Sequence, residues 1–191
     1  WETYGLDFSS DGVQMALDNG VHEACSGEGG SLPYEDNFFD AVMSWHSLEH
    51  HFHPKDSLKE MARVLVPGGH GAVAVPTGDN LGFRIFKENW GPLEPPRHLY
   101  HFTKDTLAQL VEAAGLEIER FHYDYPYYGL FLEQELFESI ENLAASKGIP
   151  FRFPRFRGYT IAARIPILPF SQLLGRACKG MNLVVHFKKP L

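Results

Sequence analysis

The chain has 191 residues, 44% hydrophobic and 21% charged, a balance that supports a packed core and excludes a disordered polypeptide. Seventeen Lys and Arg against 24 Asp and Glu give a net charge of −7, which argues against a protein that grips a phosphate backbone with its whole surface. Two cysteines, Cys25 and Cys178, cannot form a disulfide framework and point to a reducing compartment.

In chain order, Glu2 to Phe8 reads as a short strand ending on an acidic residue, and Trp1 stands where an initiating Met is expected. Ser9, Ser10 and Asp11 offer N-cap chemistry for a helix carrying Val13, Met15, Ala16 and Leu17, which Asn19-Gly20 stops. Val21 to Ser26 is a weaker strand, followed by the turn Gly27-Glu28-Gly29-Gly30. Phe38 to Trp45 predicts a buried strand, and Lys55 to Val66 a helix through Leu58, Met61, Ala62 and Leu65. Pro67-Gly68-Gly69 is expected to end that helix and swing the chain into the strand His70 to Val75. Residues 76 to 102 break the pattern as a loop-rich insert with a short helix near Leu81 to Asn89. Thr103 caps a helix over Lys104 to Ala114, closed by Gly115, and Leu116 to Tyr123 is a strand. Leu130 to Ser146 is an amphipathic helix, Pro150 to Gly158 is basic and aromatic, and Asn182 to Phe187 is a last strand. Strands separated by single amphipathic helices predict an α/β fold with a mainly parallel sheet.

The most apolar stretch, Ile161 to Leu174, carries Arg164, Pro166 and Pro169 and is shorter than the roughly 20 residues a bilayer requires. The opening also lacks the basic and apolar regions of a signal peptide, so a cytoplasmic location is expected, with peripheral membrane contact as the most a lipid-linked acceptor would need. The alternating Phe, Arg and Pro of 151 to 156 carries only three arginines, which favours a lid over a nucleic-acid or membrane surface.

Four segments carry a resemblance when taken in order. They are Tyr4-Gly5-Leu6-Asp7-Phe8-Ser9, then Gly27-Glu28 with Leu32-Pro33-Tyr34, then Phe39 to His50 (FDAVMSWHSLEH), then Glu60 to Gly69 (EMARVLVPGG). Together they resemble the class I S-adenosylmethionine (SAM)-dependent methyltransferases. The stretch Trp90 to Thr103 looks like a subgroup that often modifies saccharides or other small metabolites.

The resemblance implies a Rossmann-like, mainly parallel sheet flanked by helices, with its last strand antiparallel. It implies SAM as cofactor and a small-molecule or saccharide acceptor, with no nucleic acid and no stable membrane insertion. Residues 76–102 and 124–180 would be acceptor-side insert and lid segments of a single, incomplete methyltransferase domain. The family's first strand, with its glycine-rich turn, has no counterpart here. The strands ending at Asp7 and Trp45 are therefore expected to pair directly or leave a gap, and SAM affinity is expected to be weak or absent.

Residue by residue, Asp7 would take the ribose hydroxyls and Phe8 would lie on the adenine face. Glu28 and Gly29 match the position that meets the adenine amino group, where the family more often has Asp. Trp45 and His46 would line the methionine end. Trp90, Arg97 and His98 fall in the acceptor-side insert. His46, His50, His98 and His101 are candidate bases because imidazole titrates near neutrality. Plainer readings stand beside these. Asp7 also suits a helix N-terminus, Arg97 a loop salt bridge with Glu94, and each histidine a hydrogen bond to loop backbone.

His46-Ser47-Leu48-Glu49-His50 also spells H-x-x-E-H, a zinc-protease pattern that needs a sustained helix. Pro54 leaves room for about one turn, so no metal site is expected and any metal binding by these histidines would be incidental. Two other function classes remain: a nicotinamide-dependent oxidoreductase, which would use Asp7 for a ribose equally well, and a non-catalytic methyltransferase-like interaction module.

Overall fold

The computed structural model of the protein describes residues 1–124, 130–152 and 182–191. Cys178, the apolar 161–174 stretch and most of the 151–156 and 124–180 segments lie outside these. Strand β1 (Tyr4–Asp7), helix α1 (Ser10–Asp18) and strand β2 (Glu23–Ser26) form a βαβ unit, with β1 and β2 parallel and Asp7 opposite Ser26. Ser9 is the N-cap of α1, its hydroxyl accepting from the Gly12 amide.

A second sheet has the order β3-β4-β6-β5. It comprises β3 (Phe39–Trp45), β4 (Leu65–Pro76), β5 (Glu117–Asp124) and β6 (Asn182–Lys188). β3 runs parallel to β4, while β6 lies antiparallel between β4 and β5. β3, β4 and β5 therefore point one way and β6 the other, in agreement with the expected mainly parallel sheet and antiparallel last strand.

No hydrogen-bonded ladder joins β1 or β2 to β3 among the described residues, so of the two arrangements expected for these strands the structure shows the gap. The consequence is visible in β3. Its sequence predicts a buried strand, yet it pairs on one side only, and Met43 and Trp45 are 74% and 49% exposed. An apolar run signals a strand suited to burial; it does not say how many neighbours the strand has.

Helix α2 (Pro54–Val64) starts with Pro at its first position and buries Leu58, Met61 and Val64. It ends earlier than periodicity suggests, because β4 already begins at Leu65. Pro67-Gly68-Gly69 is accordingly part of the strand rather than the turn before it. The register against β3 jumps there, from Phe39↔Leu65 to Ala41↔His70, and Gly68 takes the positive φ of 79° that this irregularity uses. Lys189 stitches the jump: Gly68 N donates to its carbonyl, its own amide donates to Gly69 O, and its Nζ donates to Leu65 O.

The core lies between this sheet and helices α2 and α4 (Lys104–Ala113), with Leu58, Val73, Leu107, Val111, Val185 and Phe187 fully buried. Thr103 caps α4 as expected, in a reciprocal arrangement with Thr106. In the insert, Asn80 caps α3 (Leu81–Phe86). Helix α5 (Leu130–Ser146) holds the insert through Ser139, whose hydroxyl accepts from Gly91 N, and through Asn142, which donates to Asn89 O. No described helix is long and apolar enough to cross a membrane.

On β6, burial lowers the His186 pKa, with Arg120 and His122 acting in the same direction. The unfolded chain takes up this proton near pH 6.5 while the folded chain resists it, so its contribution is present above that pH and lost as pH falls through the folded value. The melting temperature is expected to fall between pH 7.5 and 5.5, with His51 and His101, whose pKa values burial also lowers, acting in the same direction. His186→Gln should flatten that slope in thermal scans; an unchanged slope in the variant would contradict the assignment.

Candidate site at the carboxyl ends of the strands

β1 delivers Asp7 to its carboxyl end, where Oδ1 accepts from the Ser9 amide at 2.8 Å. The carboxylate packs on the first turn of α1: a Cβ at Gly12 would lie 2.7 Å from its carboxyl carbon. That satisfies the helix N-terminus, the plainer reading of Asp7, and leaves the group at the sheet end where ligands of open α/β sheets bind. Phe8 beside it is 86% exposed. The Gly27 amide donates to Asp7 O, which places the Glu28-Gly29 turn next to Asp7. Glu28 itself is exposed.

Gly29 then makes the connection to β3. A Cβ there would overlap the imidazole of His51, so only glycine lets this turn close on that ring. His51 is fixed between Ser47 Oγ (3.0 Å) and Ser57 Oγ (2.7 Å), and its burial outweighs Glu49 and Glu28 in pulling its pKa down. The carboxyl ends of β1, β2 and β3 thus meet through one glycine and one histidine. Gly29→Ala is expected to cost about 1–2 kcal/mol by forcing the ring off its two serines. Chemical denaturation would show it, and an unchanged midpoint would contradict the contact.

β3 ends at Trp45, and His46 follows with a left-handed φ of 49° while its amide donates to Ala74 O. A non-glycine residue in that region is uncommon and bends the chain sharply. One turn of 3-10 helix, Leu48–His50, follows. The sustained helix that an H-x-x-E-H protease site requires is not formed, as the nearby Pro54 predicts.

The bend turns Glu49 inward. It is 1% exposed, and neither carboxylate oxygen has a hydrogen-bond partner among the described residues. His46 Nδ1 stands 3.4 Å and His50 Nε2 4.0 Å from its Oε1. The Glu49 carbonyl accepts from Leu99 N and Tyr100 N, tying this turn to the insert.

The predicted insert residues separate in space. His98 lies 5.0 Å from the His50 ring and 6.0 Å from His101, centroid to centroid, so with His46 all four candidate bases gather around Glu49. Burial lowers the His101 pKa, against a hydrogen bond to Leu93 O that raises it. Arg97 instead makes the loop salt bridge with Glu94, 3.0 Å long, and its side chain is 75% exposed. Trp90 is 2% exposed and packs edge-on to Phe83, its Nε1 without a partner among the described residues. An indole in that position is held inside the insert rather than lining an open pocket. A cleft of about 450 Å³ beside α2 and α4 shares His101 with this group, together with Tyr100, Phe102 and Lys55.

Beyond the H-x-x-E-H spelling at Glu49, nothing in the sequence alone marks Glu49, His51, Glu60 or Arg63 as site residues. Glu60 and Arg63 form a clamp: Arg63 donates to Leu32 O, Tyr34 O, Asp36 and Glu60, and Glu60 accepts from Leu32 N. Its hydrogen bonds from Arg63 and Leu32 hold the Glu60 carboxyl below its ordinary pKa, despite burial.

Residues 1–73, from β1 to the middle of β4, match the family described as Methyltransferase domain. Over this segment the chain is similar to methyltransferase domains. It is 37% identical over 92 residues to the Ubiquinone/menaquinone biosynthesis C-methyltransferase UbiE of Chromobacterium violaceum, covering 48% of this chain and 34% of that protein. It is 42% identical over 71 residues to the Homo sapiens protein named Probable tRNA methyltransferase 9B, covering 35% of this chain and 15% of that one. The matched segment thus spans about a third or less of the length of these relatives.

Among solved structures, Haemonchus contortus Phosphoethanolamine N-methyltransferase 2 in complex with S-adenosyl-L-methionine aligns with a TM-score of 0.61 at 17% identity, over 100% of this chain and 44% of that one. At that identity the likeness shows the Rossmann-like fold alone. SAM is the cofactor of this family, and the residues present suit its nucleoside end: a carboxylate at a parallel-strand terminus, an exposed ring next to it, and a turn packed tightly enough to need glycine.

Proposed function

We propose that the protein transfers a methyl group from SAM to a small-molecule or saccharide acceptor. The observation that carries this reading is the meeting of Asp7, the Glu28-Gly29 turn and the His46–His51 segment at one end of the strands. Asp7 would hold the ribose hydroxyls, Phe8 the adenine face, Glu28 and Gly29 the adenine edge, and Trp45 and His46 the methionine end. SAM supplies a methyl group already activated on sulfonium. The work left to this chain is to hold the acceptor in line, keep water out and, for a hydroxyl acceptor, remove its proton. Of the candidate bases, His46 follows β3 directly, and Glu49 at 3.4 Å from Nδ1 can orient its ring.

The small-molecule acceptor draws support from the UbiE relative and from the net charge of −7. A relative named as a tRNA methyltransferase means that charge alone does not decide against a nucleic acid. Incubation of the chain with methyl-tritiated SAM and separate pools of quinols, sugars and tRNA tests the reading. Label is expected in a small-molecule pool; label in tRNA alone, or in none, would overturn it.

A further inference from the structure

We propose that Glu49, His50 and His98 form a binding site for a divalent transition-metal ion such as zinc. One ligand atom from each lies within 4.8 Å of the others. The set is a carboxylate and two imidazoles, a combination suited to borderline ions of this class.

Three independent features point to a cation. First, Glu49 is 1% exposed and neither oxygen accepts a hydrogen bond among the described residues, although His46 Nδ1 stands 3.4 Å and His50 Nε2 4.0 Å from Oε1. A buried carboxylate without hydrogen bonds is costly unless something positive compensates it. Second, both imidazoles are held by backbone carbonyls through Nδ1: His50 donates to Arg97 O and His98 to Pro92 O, each at 2.8 Å. A carbonyl only accepts, so the proton of a neutral ring sits on Nδ1 and the lone pair on Nε2 is left to coordinate. This is the outer-shell arrangement typical of metal-binding histidines. Third, the backbone already fixes the two halves of the site, since Leu99 N donates to Glu49 O.

The Oε1 to Nε2 separation of 4.0 Å exceeds the roughly 3.3 Å edge of a tetrahedron with zinc-ligand bonds near 2.0 Å, so binding draws the side chains slightly together. Three protein ligands leave a coordination position open to water or to an acceptor oxygen. His98 from the insert is the third ligand, not His46, so this set differs from the H-x-x-E-H pair. The site does not depend on the methyl-transfer reading.

Equilibrium dialysis of the whole chain against zinc chloride, repeated with cobalt(II) for its visible spectrum, tests the proposal. One zinc per chain is expected, with four-coordinate cobalt bands. Glu49→Gln and His98→Ala should each weaken binding at least tenfold, and His53→Ala, at an exposed neighbouring position, should not. Zinc should also raise the melting temperature of the wild type and not of Glu49→Gln, which keeps the side-chain volume and so separates lost ligation from lost folding. Absence of saturable binding, or equal binding by wild type and Glu49→Gln, overturns the site and indicates a cluster that exchanges only protons.

Discussion

Replacing Arg63 with alanine is expected to destabilise the protein by about 3 kcal/mol. The side chain is 30% exposed, yet its guanidinium serves Leu32 O, Tyr34 O, Asp36 and Glu60 together. Removing it strands Glu60, which is 20% exposed, and leaves two loop carbonyls without their donor. The partial exposure keeps the effect at the low end for a broken ion pair. For a chain of this size the loss corresponds to a melting temperature lower by roughly 6–12 °C. Arg63→Lys retains the charge but not the planar fork, so it should recover only part of the stability. A denaturation midpoint unchanged in Arg63→Ala would show that the 32–36 loop is held by its aromatic contacts instead, where Tyr34 and Phe39 lie 4.8 Å apart.

That clamp shows what a linear reading reaches and what it does not. Helix starts were legible because capping is local: Ser9 and Thr103 announce α1 and α4 within three residues of the groups they satisfy. The strands β3, β4, β5 and β6 were legible from their apolar runs, to within a residue or two except at the start of β4. Arg63 meets its loop partners at separations of 27 to 31 residues, which no periodicity encodes. The same applies to Pro67-Gly68-Gly69, whose letters suit a turn; the register jump opposite Phe39 and Ala41 that absorbs them belongs to the pairing of two strands.

The site divides in a similar way. Asp7 is found at the sheet end because strand and turn signals are local. The gathering of His50, His98 and His101 required the insert to fold back over Glu49, 49 residues before His98 in the chain. Trp90 is expected on the acceptor side because it falls in the insert after β4, at the carboxyl side of the sheet. Its burial comes from the packing of Phe83 and the close approach of Gly82, neither of which its neighbours in sequence announce.

The second large effect concerns Asp7. A carboxylate that takes two ribose hydroxyls contributes charge-assisted hydrogen bonds, so Asp7→Ala should weaken SAM binding about 10–100-fold. Part of any loss in that variant is structural, since Oδ1 also accepts from Ser9 N. Asp7→Asn separates the two: its side-chain oxygen can still accept from Ser9 N, while one NH₂ replaces an acceptor. The melting temperature of Asp7→Asn should therefore stay near wild type while nucleoside binding falls.

The strand ends holding Asp7 are proposed to take SAM rather than another nucleotide cofactor. Ultraviolet crosslinking of radiolabelled SAM to the whole chain tests it most directly, because it registers weak complexes as well as tight ones. The expected result is covalent label on the wild type, displaced by S-adenosylhomocysteine but not by NAD, and at least tenfold lower in Asp7→Asn. Displacement by NAD, or label that is indifferent to Asp7, would contradict it.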